Sequence, residues 1–440
     1  MKLSGWGQFP THDVALSAPR SEADLRAQLD TGPAIARGNG RAYGDSALSQ
    51  TNTVHMRHFA HMLSFDEKTG VLQAEAGVLS ADIIDSFLPR GWFLPVTPGT
   101  KFVTLGGMIA ADVHGKNHHA DGSFGNFVDW IDVMGPDGKI TRCSRKKNAT
   151  LFGWTVGGMG LTGIILRAAI RLRPVESGWI AQQMIRAENL DAAMDVFEQS
   201  QDSTYSVAWI DCLSTGAARG RSLVMLGEHA TLEELPKPRR KKPYQTKDKR
   251  KLSVPFSPPG WLMNGLTVRA FNALYYWNGS RKAGDSLVDW DSYFYPLDAI
   301  LNWNRIYGRR GFMQFQCVLP LDSSRAGLSA LLDAISEAGA GSFLAVLKRL
   351  GVQDSRFSFP MEGYTLALDF PVNRRTLALM DRLDAITLDH GGRFYLAKDS
   401  RMSAETLRAS DARTDTFEAA RRKSGACDTF ASEQSQRLKL

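Results

Sequence analysis

The pattern of apolar and polar positions changes period repeatedly over the first 175 residues. SEADLRAQLD, residues 21–30, places Asp24 three positions after Ser21, the spacing of a capping box, and so predicts a short helix. The apolar run PAIA follows as a strand and leads into a glycine turn, RGNGRAYGD, at residues 37–45. VLQAEAGV, residues 71–78, alternates as a strand does; a helix is predicted near 80–88, closed by RGW and followed by the strand-like FLPVTPGT. Residues 127–143, FVDWIDVMGPDGKITRC, predict a β-hairpin turning on Pro136, Asp137 and Gly138. Short helices interleave with many strands, and no simple βαβ repeat emerges.

GTKFVTLGGMIAADVHGKNHHADGSFGN, residues 99–126, interrupts this pattern. Gly99, Gly106, Gly107, Gly115, Gly122 and Gly125 leave scarcely a position that a helix or strand needs, so the segment is expected to be a loop. Backbone of this freedom suits close approach of main-chain N–H groups to a large ligand. In a second cluster, Gly38, Gly40 and Gly44 stand with Asn39 and Arg41 but without the GK[ST] of a triphosphate loop. That cluster reads either as a nest of donors for a diphosphate or as a plain turn. A third, Gly158, Gly160 and Gly163, satisfies GxGxxG, yet Ile164, Leu166, Ala168, Ile170 and Leu172 then alternate as in a strand. A dinucleotide fingerprint must open a helix, which excludes that reading. His114 and His118 have the spacing of a metal pair on a helix, but Gly115 and Asn117 disfavour the helix and no HExxH glutamate is present, so no metal is expected. An organic cofactor with phosphates and a flat ring system accounts for two donor-rich loops.

A chain of 440 residues with 43% apolar content is long enough for two or three units. Cys143, Cys212, Cys317 and Cys427 are far apart with no CxxC, which points to a thiol-reducing compartment and no disulfide framework. The net charge of +7 resides in residues 237–251, where nine Lys/Arg face only Asp248, so the rest of the chain is close to neutral and nucleic acid is not an expected partner. Phe256, Trp261, Leu262, Leu266, Phe271, Tyr275, Tyr276 and Trp277 follow directly. Two readings of 237–277 stand: a solvated charge run, or a basic and aromatic segment that meets a lipid surface. The N-terminus lacks the apolar stretch of a signal peptide and no run is long enough to span a bilayer. The expected location is cytoplasmic, or peripheral at the inner membrane.

The strings RGNGRAYGDSAL, PGTKFVTLGGMIAADVHGKNHHADGSFGN, TVGGMGLTGIILRA, YSVAWID, YPLDAILNWNRIYGRRGF, QFQCVLP and YLAKDSR resemble the decaprenylphosphoryl-ribose 2-oxidase family, from about residue 30 to the C-terminus. Its members are flavoproteins of the PCMH-type, or vanillyl-alcohol oxidase, fold. The resemblance implies an α+β protein. Residues 1–178 and 393–440 would form a two-part FAD-binding domain, and 179–392 an inserted substrate domain built on an antiparallel sheet flanked by helices. By the same resemblance Ala36, Arg37, Gly38, Asn39, Gly40, Arg41, Ala42, Tyr43, Gly44, Asp45 and Ser46 wrap the diphosphate. Gly99, Thr104, Leu105, Gly106, Gly107, Ala111, Asp112, Val113 and His114 line the flavin and ribityl chain, and Ile165 and Tyr395 complete the site. His114 sits where some relatives of the wider fold attach flavin covalently, but the closer family implies dissociable FAD.

The implied reaction oxidises the 2-hydroxyl of a polyprenyl-phosphate-linked pentose, the first half of an epimerisation that supplies arabinose precursors for the cell envelope. A separate NAD(P)H-dependent keto-reductase completes it. Lys398 is the residue assigned to charge stabilisation or proton transfer, with a salt bridge to Asp399 as the alternative; Tyr43 and His114 flank the same cavity. Lys116, Trp209, Gln314, Gln316 and Lys348 are expected to contact substrate, the two glutamines from one strand face. Without the resemblance, Lys348 reads as a solvated helix lysine and Trp209 as a core aromatic. GYTLALDFP puts Thr365 and Ala367 where mycobacterial members carry asparagine and cysteine in the substrate pocket. A second reading is a soluble FAD-dependent sugar, alditol or aldonolactone oxidase of the same fold.

Overall fold

The computed structural model describes residues 1–246, 252–256 and 265–440. Leu16–Ser17 (β1), Glu22–Leu29 (α1), Ala34–Arg37 (β2) and Asn52–His55 (β3) form the first layer, a small parallel sheet ordered β1-β3-β2. The capping box is present: Ser21 Oγ accepts from the Asp24 N–H at 3.0 Å and the Asp24 carboxylate accepts from the Ser21 N–H at 3.1 Å.

Met62–Asp66 (β4), Val71–Glu75 (β5), Ser80–Phe87 (α2) and Leu105–Ala110 (α3) follow, then Val128–Met134 (β6), Ile140–Cys143 (β7) and Ile164–Arg171 (β8). The strands make an antiparallel sheet ordered β7-β6-β8-β5-β4. The hairpin β6–β7 turns through Gly138 at φ +70°, and the GMGLTG turn feeds a strand, β8. Of FLPVTPGT only Phe93 is in a ladder, as the end of the strand Trp92–Phe93, because Pro95 and Pro98 have no N–H to donate. The segment expected to be a loop at 99–126 contains α3, with Leu105, Met108 and Ile109 fully buried. Thr104 Oγ1 caps it by accepting from the Gly107 N–H at 3.3 Å. Burial of this apolar face against β8 outweighs the helix cost of two adjacent glycines.

Trp179–Ala187 (β9), Leu190–Gln199 (α4), Tyr205–Ile210 (β10), Ser222–His229 (β11), Gly265–Ser280 (α5) and Gly284–Asp289 (β12) lead into Phe312–Pro320 (β13). Leu321–Glu337 (α6), Ala345–Leu350 (β14), Gly363–Pro371 (β15), Arg374–Asp389 (α7) and Arg393–Phe394 (β16) complete an eight-stranded antiparallel sheet. Its order is β12-β9-β11-β10-β14-β15-β13-β16. Helices α4, α6 and α7 supply Phe197, Leu328, Leu331, Leu332, Leu379 and Leu383 to a core shared with this sheet.

The chain's last residues return to its first layer. Phe430 bridges to Ala34, and the Glu433 carboxylate accepts from Gln50 N and Nε2 at 2.9 and 2.8 Å. Arg437 pairs with both Asp45 and Asp399, at 2.8 and 2.9 Å.

Candidate active site

Between the antiparallel sheets lies one cavity of about 850 Å³. The first glycine turn reaches it through Ala36, Gly38, Asn39, Gly40, Arg41, Ala42, Tyr43 and Ser46. Gly99, Thr104, Gly106, Gly107, Ala111, Val113 and His114 face it from the second glycine segment, with Ile165 and Tyr395 beside them. The two loops touch: a Cβ on Gly38 would lie 2.2 Å from Thr104 Oγ1, so only glycine permits this approach.

Five of the residues named for the cofactor stand behind the wall. Arg37 donates to the Ser4 carbonyl at 2.9 Å, and Gly44 packs so tightly on Asp399 that a Cβ would come within 2.1 Å of its carbonyl oxygen. Asp45 holds Arg437, and Leu105 is in the apolar core. Asp112, at φ +40°, accepts from Ser123 Oγ at 2.6 Å and Gly125 N at 2.8 Å, which braces the second loop. These residues shape the loops and leave the contact surface to backbone.

A dinucleotide fits this donor set. Arg41 stacks 4.1 Å over Trp6 and 5.2 Å from Phe102, and its Nε is buried without a hydrogen-bond partner, a cation available to a diphosphate. Gly99 has open space where a Cβ would be, and Gly160, at φ +77°, adds further backbone to the wall.

Midway along the cavity five cationic or titratable side chains line its wall. Lys398 lies 3.8 Å over the Tyr43 ring, and Tyr43 N donates to the Ala397 carbonyl at 2.9 Å, fixing the two loops together. Asp399 is committed to Arg437 and to the backbone of Arg401 and Met402, so the Lys398–Asp399 bridge does not form. Burial pushes the Lys398 ammonium below the ordinary amine range, and Asp369 opposes that shift. The Tyr43 phenol is raised by burial and stays neutral.

His114 is pushed well down by burial, then by Lys348, and is a neutral imidazole. Its Nε2 is 3.0 Å from Gln316 Nε2, so the ring accepts there; this assigns the ring proton to Nδ1, which is buried without a partner. Lys116, lowered by burial to about 7, donates to the Tyr293 carbonyl and lies 4.1 Å over the Tyr293 ring. Lys348, lowered to about 8 by burial, is on strand β14 and not on a helix.

Gln314 and Gln316 share the cavity face of β13. In the register of β13 with β15, Gln314 pairs with Asp369 and Gln316 with Ala367. Gln316 donates to Thr365 Oγ1 at 3.2 Å, while Thr365 donates to the Cys317 carbonyl at 2.8 Å and is only 1% exposed. Thr365 therefore backs Gln316 and does not line the cavity, whereas Ala367, two positions along the same face, does. Asp369, the next position on that face, was missed from sequence although the 365, 367, 369 alternation in GYTLALDFP carried the signal. Asp298, also missed, accepts from Thr100 Oγ1 at 2.8 Å and Lys101 N at 2.9 Å.

The far end of the cavity is aromatic. Trp209 meets Tyr275 at 4.7 Å and Phe271 meets Phe343 at 4.9 Å between ring centroids, beneath α5. The outer face of α5 leaves Leu266, Leu274 and Trp277 80%, 63% and 55% exposed, and Phe256 and Leu252 are exposed as well. Tyr276 points inward and donates to the Ala187 carbonyl. Trp261, Leu262 and the cations from Lys247 to Lys251 lie outside the described residues. Of the other cations, Arg239 stacks 3.8 Å over Trp179 and Arg240 donates to the Leu235 carbonyl at 2.7 Å, so part of the run is packed and not free in solvent. Among the described residues no cluster of three or more His, Cys, Asp or Glu could hold a metal, and no helix is long and apolar enough to cross a membrane.

The FAD binding domain family matches residues 15–144. Decaprenylphosphoryl-beta-D-ribose oxidase of Mycolicibacterium smegmatis is 35% identical over 453 aligned residues, covering 100% of this chain and 97% of its own. An uncharacterized Streptomyces coelicolor protein is 33% identical over 80% of this chain and 97% of its own, and cytokinin dehydrogenase 5 of Arabidopsis thaliana is 27% identical over 46% and 39%. The cofactor is FAD, and with identity of this level along the entire length the chain belongs to the decaprenylphosphoryl-β-D-ribose oxidase family of flavoenzymes.

Proposed function

We propose that the protein oxidises the 2-hydroxyl of a polyprenyl-phosphate-linked pentose to the 2-keto sugar. The observation that carries this reading is the content of a single cavity: glycine backbone at one end, buried lysines and glutamines midway, and aromatic rings under an exposed apolar helix at the other. Each part matches one part of such a ligand pair, namely dinucleotide, phosphorylated sugar and lipid tail.

When bound, FAD supplies the acceptor for the hydride that leaves the carbinol carbon. The chain's own groups do the rest. Lys398 Nζ takes the 2-hydroxyl proton, because burial keeps a share of the amine uncharged near neutral pH; the ammonium so formed rests on the Tyr43 ring and faces Asp369. Gln314, Gln316 and neutral His114 orient the sugar, and the Lys116 and Lys348 ammonium groups attract the phosphodiester. We assign residues 1–178 with 393–440 to the flavin and 179–392 to the substrate. The outer face of α5, with the neighbouring cations, meets a membrane surface from which the substrate is drawn. A separate NAD(P)H-dependent reductase consumes the keto product.

A soluble alditol or aldonolactone oxidase has no use for the aromatic end of the cavity, which disfavours that alternative. Anaerobic titration of the yellow protein separates the two. Polyprenyl-phosphoryl pentose is expected to bleach the flavin; bleaching by soluble alditols or aldonolactones, with none by the lipid-linked sugar, would overturn the assignment.

A further inference from the structure

Asp369 is a titratable residue in the wall of the cavity that the reaction as described does not use to transfer a proton. It is 1% exposed, on β15, opposite Gln314 in the β13–β15 register. Oδ1 accepts from Gln314 Nε2 at 2.5 Å, and the backbone N donates to Ser342 Oγ at 3.0 Å, so the side chain is held by Gln314 and the strand beneath it by Ser342. Oδ2 is buried and makes no close hydrogen bond among the described residues, the Tyr307 phenol being the donor that faces the carboxyl. A carboxylate oxygen left in this condition costs free energy unless a ligand donor completes it. Gln314 is itself tied to the Tyr43 phenol, and Tyr307 and Lys398 are the other polar groups facing the carboxyl. The arrangement of a fixed carboxylate beside a fixed carboxamide matches a sugar hydroxyl, which donates one hydrogen bond and accepts another.

We propose that Asp369, with Gln314, forms a hydroxyl subsite: Oδ2 accepts the hydrogen bond of a pentose hydroxyl other than the one oxidised, and this contact sets how the ring lies against the reacting groups. The inference rests on the pentose reading above. Burial raises the Asp369 carboxyl to about 7 against the opposing pull of Gln314, Lys398 and Tyr307, and a ligand hydroxyl donating to Oδ2 would favour the ionised form further. Asp369 acts as a substrate-binding and orienting residue, while Lys398 keeps the proton transfer.

The test uses the flavin-loaded protein and its Asp369→Asn and Asp369→Ala variants, with the polyprenyl-phosphoryl pentose and its 3-deoxy and 5-deoxy analogues. Flavin absorbance and thermal melting establish that each variant is folded and loaded, and the near-isosteric Asn variant guards against misfolding of the Ala one. In the unmodified protein, one deoxy analogue is expected to lose about ten- to a hundredfold in KM, the worth of a hydrogen bond to a charged group. Asp369→Ala is expected to lose as much with the full substrate and nothing further with that analogue. Losses that simply multiply for both analogues, or unchanged KM in both folded variants, would overturn the subsite. Failure of the unmodified protein to be reduced by any lipid-linked pentose would instead overturn the proposed function, so the two failures are distinct.

Discussion

Lys348→Met offers a sharp check on the electrostatics of the cavity. Burial lowers Lys348 from an ordinary 10.5 to about 8. With about 1.4 kcal/mol for each tenfold change in proton affinity, keeping it charged in the folded chain at pH 7 costs about 3 kcal/mol. The folded value is the lower one, so the penalty is full below pH 8, falls to about 2 kcal/mol at pH 9 and vanishes above the unfolded value of 10.5. Methionine keeps the length of the side chain and removes the charge. Unfolding entropy of about 2.1 cal/mol/K per residue gives about 0.9 kcal/mol/K for 440 residues, so the variant should melt about 3 °C higher at pH 7 and about 2 °C higher at pH 9. Melting curves of both proteins at matched flavin occupancy provide the assay, and KM for the phosphorylated substrate should rise about tenfold in the same variant. A variant that melts lower at pH 7, or whose gain does not shrink toward alkaline pH, would refute the argument that Lys348 is held charged against its environment.

Other outcomes follow from the same geometry. Lys398→Met should retain flavin and its absorption spectrum yet reduce it about 10²- to 10³-fold more slowly with substrate in anaerobic stopped flow, the usual cost of losing one preorganised group at the reacting centre. Gly38→Ala forces a Cβ to 2.2 Å from Thr104 Oγ1 and should purify largely without flavin, whereas Gly99→Ala meets no atom within 4 Å and should melt unchanged. Leu274→Ser with Trp277→Ser removes two exposed apolar groups from α5 and should weaken co-sedimentation with anionic vesicles at least about tenfold without lowering the melting temperature.

What the sequence made legible was local. Ser21 and Asp24 are three residues apart, Pro136 to Gly138 form a single turn, and the alternation after Gly163 extends over one strand, so each signal and its structural consequence share a short window. Helix α3 was hidden because the burial of Leu105, Met108 and Ile109 that stabilises it comes from β8, some 60 residues on. Lys348 could be read as a helix residue because AVLKRL fits either period, and only its place between β10 and β15 decides the matter. Thr365 was assigned to the pocket by its position in a string and does share the face of Ala367 and Asp369, but it pairs with Val318 past the cavity's edge, where Gln316 and the Cys317 carbonyl take its hydroxyl.

The same distinction explains why the chemistry was harder to read than the fold. Lys116, Lys348 and Lys398 lie at least 50 residues apart in the chain and come from a loop, a strand and a C-terminal turn. No window of sequence contains two of them, so nothing local reveals that burial lowers all three and that Lys348 depresses the other two. Their closeness is costly in the ligand-free protein, and that cost is what makes the cavity selective for anions: a diphosphate and a phosphodiester restore the charge balance that the fold leaves open. A neutral sugar would enter the same space without repaying it. Lys348, which depresses Lys116 and Lys398 alike, and Lys398, whose charge among the described residues only Asp369 offsets, thus argue for a phosphorylated substrate independently of any glycine motif.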